Sequence, residues 1–286
     1  MSHVQDIAIG EVRDFWNRRP CNIRHSTKPV GCREYFDEVE ARKYFVEPHI
    51  PMFAEFDRWK GKRVLEIGCG IGTDTMNFAR AGAEVTAVDL SEKSLEIARQ
   101  RASVYGLSNI RFYQGNAEHL TSFVPAGSYD LIYSFGVVHH TPHPERVIEQ
   151  IRLCSRPGTA LKIMVYHRNS WKALQILLRD GHGAFWRFSE LIERHSEAQT
   201  GSPVTYSYTP RGVRELLHGF KTDSIAIEHI FPYRIPDYLQ YRYVRLWYFR
   251  HLPWPLFQWL EKHFGWHLCV NAHFPDQAEA GAAVSC

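Results

Sequence analysis

Three glycines at alternate positions, Gly68, Gly70 and Gly72, follow the apolar run Val64 to Ile67. An acid, Asp89, closes a second apolar run that begins at Val85. Together they suit a nucleoside. A turn without side chains lets a ligand lie against bare backbone, and glycine alone tolerates the positive φ angles such a turn needs. A carboxylate about twenty residues on can accept hydrogen bonds from both hydroxyls of a ribose. Later runs end on further reactive groups. The pair His139-His140 offers imidazoles, which titrate near neutral pH and can take a proton from a hydroxyl or an amine. Arg168 suits a carboxylate or phosphate. Each has a plainer reading: Asp89 as a helix cap, one histidine as a buried ring bonded to backbone, Arg168 as a solvated cation.

These groups need a frame that brings strand ends together. Between residues 61 and 166, short apolar runs alternate with helical patterns. Strands are expected at Arg63 to Ile67, Glu84 to Asp89, Ile110 to Tyr113, Tyr129 to Tyr133 and Thr159 to Val165. Helices are expected from Asp74 to Arg80, after the cap Ser91 until Gly106, and from Pro144 to the stop at Arg156-Pro157-Gly158. Alternation of this kind means a parallel sheet covered on both faces. Farther on, helices are expected at Ser170 to Leu178, Phe185 to His195 and after Thr209-Pro210, with breaks at Gly181-His182-Gly183 and Gly201-Ser202-Pro203. Ser224 to Ile230 and His267 to Ala272 alternate as strands.

Glycine spacing separates two kinds of nucleotide site. The dinucleotide fingerprint G-x-G-x-x-G would place its third glycine at residue 73, which is Thr73. The pattern here, E-x-G-x-G-x-G from Glu66 to Gly72 with Asp89 beyond it, resembles motif I of the class I S-adenosylmethionine-dependent methyltransferases. The resemblance implies an α/β, Rossmann-like sheet of seven strands, mostly parallel with an antiparallel edge hairpin, and S-adenosylmethionine as cofactor. It places Glu66, Gly68, Cys69, Gly70, Gly72, Asp89, Leu90 and Ser134 around that cofactor. It puts Asn116 and Ala117 at the adenine, although the family has Asp where Asn116 stands; Asn116 also reads as a simple turn residue. His140, with His139 behind it, would be the base, and Trp16, Tyr166 and Arg168 would meet the substrate. The loop from Ser134 to Thr141 lacks the Asn/Asp-Pro-Pro-Tyr of base-methylating enzymes and is similar to the G-x-x-H-H of the small-molecule, quinone-methylating branch. A nicotinamide-dependent oxidoreductase and a non-catalytic cofactor-binding scaffold are the alternatives.

The whole chain sets wider bounds. It has 286 residues, 44% of them hydrophobic, and a formal charge of +3 with no basic block that would mark a nucleic-acid partner. No leader of charged-then-apolar layout and no spanning apolar stretch is read, so a cytoplasmic protein without stable membrane insertion is expected. The six cysteines are scattered without C-x-x-C and read as free thiols, with a metal at Cys21 and Cys32 as a minor alternative. No metal site is expected. His263 and His267 have helical ligand spacing, but Gly265, Trp266 and the following strand oppose it. Residues 1–60 are expected as an N-terminal helical cap, 61–166 as the cofactor-binding core, 167–275 as the rest of the sheet with substrate-cap insertions, and 276–286 as a disordered tail. The segment 231–266 carries thirteen aromatics, and a pocket wall, a homodimer face and an interfacial membrane contact are its three readings.

Overall fold

Five apolar runs lie side by side as parallel strands in a computed structural model that describes residues 8–181, 185–196 and 202–276. They are β1 (Arg63–Ile67), β2 (Glu84–Asp89), β3 (Ile110–Gln114), β4 (Leu131–Phe135) and β5 (Ala160–Tyr166). Two more strands, β6 (Lys221–Glu228) and β7 (His267–His273), complete a seven-stranded sheet in the order β3-β2-β1-β4-β5-β7-β6. β7 runs antiparallel to both β5 and β6, so the expected edge hairpin is present.

Both faces of β1 are buried because its neighbours carry apolar residues above and below. Val64 packs with Val85, Phe78, Leu95 and Leu131 on one side. Leu65 and Ile67 pack with Val88, Ile132 and Val147 on the other. The connecting helices are α4 (Thr73–Arg80), α5 (Glu92–Tyr105) and α6 (Pro144–Cys154), preceded by α1 (Ile9–Arg18), α2 (Arg33–Val46) and α3 (His49–Ala54). Their ends follow local chemistry. The Ser91 hydroxyl accepts from the Ser94 N–H, Gly106 closes α5 with φ 67°, and Pro144 stands in the first turn of α6. After β5 come α7 (Trp171–Arg179), α8 (Phe188–His195) and α9 (Pro210–Leu216). Between β6 and β7 lie α10 (Ile235–Tyr238), α11 (Trp247–Arg250) and α12 (Trp254–Phe264).

Two strands, β4 and β6, are displaced from expectation by two or more residues, whereas β3, β5 and β7 differ by a single residue at an end. β4 begins at Leu131 rather than Tyr129, because the Asp130 carboxylate turns out to accept the Arg63 N–H and pairs with Arg156. β6 starts three residues early, carries an irregularity between Thr222 and Ser224, and stops before His229, whose φ of 71° leaves the extended region. The expected breaker at His182-Gly183, the loop residue Gly201 and the tail from 277 lie outside the described residues. Among the described residues, five cysteines form no disulfide, and no helix is long and apolar enough to cross a membrane.

Candidate functional site

Strand order reverses between β1 and β4, and a cavity of about 310 Å³ opens there. Open parallel sheets bind ligands at that reversal, outside the carboxyl ends of their strands, and the volume falls in the range of small-molecule sites. Gly68 stands at φ 77°, and a Cβ on it would lie 2.1 Å from Val137 Cγ2. Gly70, at φ 54°, has no atom within 4 Å of where its Cβ would stand. It lines the cavity, so bare backbone faces the space.

Asp89 ties this turn to the next strand. Its Oδ2 accepts the Gly70 N–H at 2.8 Å and its Oδ1 accepts the Ser91 N–H at 2.8 Å. The helix-capping reading and the ligand reading therefore meet in one residue, which lines the cavity beside Leu90. Burial pushes its pKa up to about 6, against the opposing pull of the Ser91 and Gly70 amides. Cys69, Asn116 and Ala117 also line the cavity. The Asn116 Oδ1 accepts the Glu118 N–H at 3.0 Å, a turn role that leaves its second lone pair.

Several expected cofactor residues stand elsewhere. Gly72 stands at the N-cap just before α4 and lies off the cavity lining; a Cβ there would come within 3.1 Å of the Ala98 methyl. Ser134 is fully buried within β4, beside β1, donating to the Ile67 carbonyl at 3.2 Å. Glu66 is buried behind the turn and accepts the Thr75 hydroxyl at 2.5 Å. It belongs to a polar knot around Asp74, which accepts from Lys43, Tyr44 and Tyr133 at 2.7, 2.9 and 2.9 Å. Burial and then the Asp74 charge raise the Glu66 pKa to about 8. Its unfolded-chain value lies near 4.5. The neutral carboxyl thus stabilises the fold below that value, and the contribution is lost as pH rises through about 8. Glu66→Gln is accordingly expected to remove this fall in stability, with urea midpoints of wild type and variant converging at acid pH and the variant the more stable at pH ~9. Parallel pH curves for the two proteins would reject the assignment.

The other end of the cavity is aromatic and charged. Trp16, Phe135, His140, Met164 and Tyr166 line it, together with Lys43, Glu47 and His267. The His140 Nδ1 lies 2.9 Å from the Val204 carbonyl oxygen, with the Ser202 and Thr205 hydroxyls at 3.1 and 3.2 Å. A carbonyl only accepts, so Nδ1 carries the proton and Nε2 is the basic nitrogen. His139 is completely buried, its ring 4.0 Å from Tyr166 and 4.2 Å from His140, and it lies off the lining. Arg168 also lies off it, exposed with its guanidinium over Phe188 at 4.8 Å. Beside Glu47 stand His49, His229 and His267. Burial keeps these rings neutral, with His49 pushed down to about 4.

The aromatic segment 231–266 contributes nothing to the lining. Phe249 and Phe257 instead pack with Ile230 and Trp171, while Tyr238 lies against the Arg42 guanidinium. Conversely Lys43, Glu47, Cys21 and Asn22 reach the cavity from the first sixty residues, where no spacing marks them.

A parallel sheet with a terminal antiparallel hairpin, a glycine turn after β1 and an acid ending β2 defines an α/β protein built to hold an S-adenosyl nucleoside. Known proteins agree. A family model described as a methyltransferase domain matches residues 64–158. The ubiquinone biosynthesis O-methyltransferase of Aromatoleum aromaticum is 33% identical over 165 residues, 52% of this chain and 69% of that protein. Its counterpart from Aeromonas salmonicida is 34% identical over 118 residues, 41% of this chain and 49% of that one, so the chain spans about half of this second relative. Among solved structures, magnesium protoporphyrin IX methyltransferase from Synechocystis PCC 6803 with bound SAH shares the fold. That match has a TM-score of 0.57 at 18% identity, covering 93% of this chain and 99% of that one. The chain belongs to the class I S-adenosylmethionine-dependent methyltransferases.

Proposed function

We propose that this protein methylates a hydroxyl oxygen of a small, flat, largely apolar molecule held at the aromatic end of the cavity. The observation that carries the reading is one continuous cavity running from the Gly70 backbone and Asp89 to Trp16, His140 and Tyr166. The cofactor fits the first end: Gly70 exposes bare backbone there, and Asp89 and Asn116 retain acceptor lone pairs after their backbone bonds. When bound, S-adenosylmethionine supplies a methyl group already activated by its sulfonium. The chain's own task is placement and removal of a proton. Trp16 and Tyr166 hold a planar acceptor and exclude water, where orientation alone is worth roughly 7–11 kcal/mol. His140, fixed in one tautomer by Val204, accepts the hydroxyl proton at Nε2. The quinone-pathway names of the relatives support an oxygen acceptor.

The test is transfer of labelled methyl from S-adenosylmethionine to a panel of phenols, quinols, amines and thiols, beside calorimetry with S-adenosylhomocysteine. Transfer to phenols or quinols is expected. Transfer confined to amines or thiols would overturn the oxygen reading.

A further inference from the structure

Residues 47, 229 and 267 are far apart in the chain, yet the fold brings them to one point. Glu47 caps the end of α2, His229 follows β6, and His267 opens β7. β6 and β7 pair antiparallel with Glu228 opposite His267, so both histidines stand at the same end of the hairpin. Their rings stack with centroids 4.7 Å apart. One ligand-capable atom from each of Glu47, His229 and His267 lies within 4.8 Å of the others. Two ligands on a tetrahedral ion with bonds of about 2.1 Å stand about 3.4 Å apart. Side-chain shifts on the order of 1 Å would therefore close the set on an ion.

Three details of geometry favour an ion over simple packing. His267 Nε2 lies 3.8 Å from Glu47 Oε1, too long for a hydrogen bond and suited to two groups aimed at a shared point. The opposite nitrogen of the same ring, Nδ1, lies 3.0 Å from His49 Nε2. A hydrogen bond on the far nitrogen is how a metal-binding imidazole is fixed in tautomer and direction. Finally, His229 holds a left-handed φ of 71°, uncommon outside glycine. The surroundings impose it. The Trp266 N–H donates to the His229 carbonyl at 2.8 Å, and residue 265 must be glycine, since a Cβ there would lie 2.3 Å from the Glu228 carbonyl oxygen. Strain held this firmly is a feature of functional sites.

Glu47 and His267 line the aromatic end of the cavity, so an ion between them would present an open position to that space. Two histidines and one carboxylate with a position left open form the ligand set of hydrolytic zinc and of non-haem ferrous centres. We infer that Glu47, His229 and His267 bind a divalent transition-metal ion at the acceptor end of the cavity, with His49 as a positioning residue. The ion takes a hydroxyl or carboxylate oxygen of the acceptor as a further ligand. That second statement rests on the function proposed above; the metal site does not.

The experiment uses full-length protein stripped with a chelator, then titrated with Co²⁺ in the visible spectrophotometer and with Zn²⁺ by calorimetry. Uptake of one ion with a ligand-field band is expected, lost in Glu47→Gln and His229→Ala. His49→Ala is expected to weaken it by about 10–100-fold. Binding of S-adenosylhomocysteine by the same samples reports folding, and Glu47→Gln, at a partly exposed helix end, serves if His229→Ala does not fold. No ion uptake by wild type, or equal uptake by folded variants, overturns the site. Ion uptake by folded wild type that transfers no methyl group to any phenol or quinol supports the metal site and overturns the proposed function. A shift of the cobalt band on adding a catechol supports the acceptor contact, and an unmoved band with phenols and benzoates alike overturns it.

Discussion

Replacing His140 by alanine is expected to lower turnover by about 10²–10⁴-fold, the usual contribution of a positioned base, and to leave S-adenosylhomocysteine affinity nearly unchanged. The separation follows from where the ring stands. It lines the aromatic end of the cavity against Trp16, with centroids 5.6 Å apart, whereas the acid and the glycine turn occupy the other end. His139→Ala makes the contrasting case. That ring is buried between Tyr166 and His140, so its removal opens a void and lowers stability, with any rate loss following from displaced neighbours. Equal turnover of His140→Ala and wild type across pH would reduce His140 to a packing residue.

The parallel core and its glycine turn were legible because their signals are local. Val64 to Asp89 carries a buried strand, positive-φ glycines, a helix and a second buried strand within a few turns of chain, and each step has its own residue chemistry. Helix ends were legible for the same reason, as at Ser91, Gly106 and Pro144. The site divides along the same line. Asp89, Gly70 and His140 reach the cavity because they directly follow strands whose ends must meet there. Position after a strand does not give the side chain's direction, however. Glu66 shares a sheet face with Tyr133 while Ser134 points to the opposite face, and both satisfy buried partners instead of reaching the cavity. Lys43, Glu47 and the histidines at 49, 229 and 267 converge only through long-range packing, which no spacing along the chain encodes. The aromatic segment 231–266 misled because Trp and Tyr suit a pocket wall, a core and a surface equally. In the structure Phe249 and Phe257 form a small core, while Trp247, Trp254 and Trp259 stay on the surface.

Asp89→Ala is expected to weaken S-adenosylhomocysteine binding by about 1.5–3 kcal/mol, roughly 10–150-fold, for the loss of hydrogen bonds to a charged acceptor. Two effects act in one direction. The ribose hydroxyls lose their acceptor, and the Gly70 amide, held at 2.8 Å by the same carboxylate, loses the contact that shapes the turn. The carboxyl also makes binding depend on pH. In the free protein burial raises its pKa to about 6, and only the ionised form accepts from both hydroxyls. Below that value a proton must leave before the ligand binds, so affinity should fall by up to about tenfold for each further unit of acid. The same raised pKa means that ionised Asp89 costs stability as pH climbs from about 3.8, its unfolded value, through about 6. Bound nucleoside offsets that cost, so its stabilising effect on the fold should be larger at pH 7 than at pH 5. Asp89→Asn separates the contributions: it keeps a neutral acceptor for one hydroxyl, binds more tightly than Asp89→Ala, and shows no such slope between pH 5 and 7. Calorimetry at the two pH values decides the matter, and a wild-type affinity that does not change between them would remove Asp89 from the ribose.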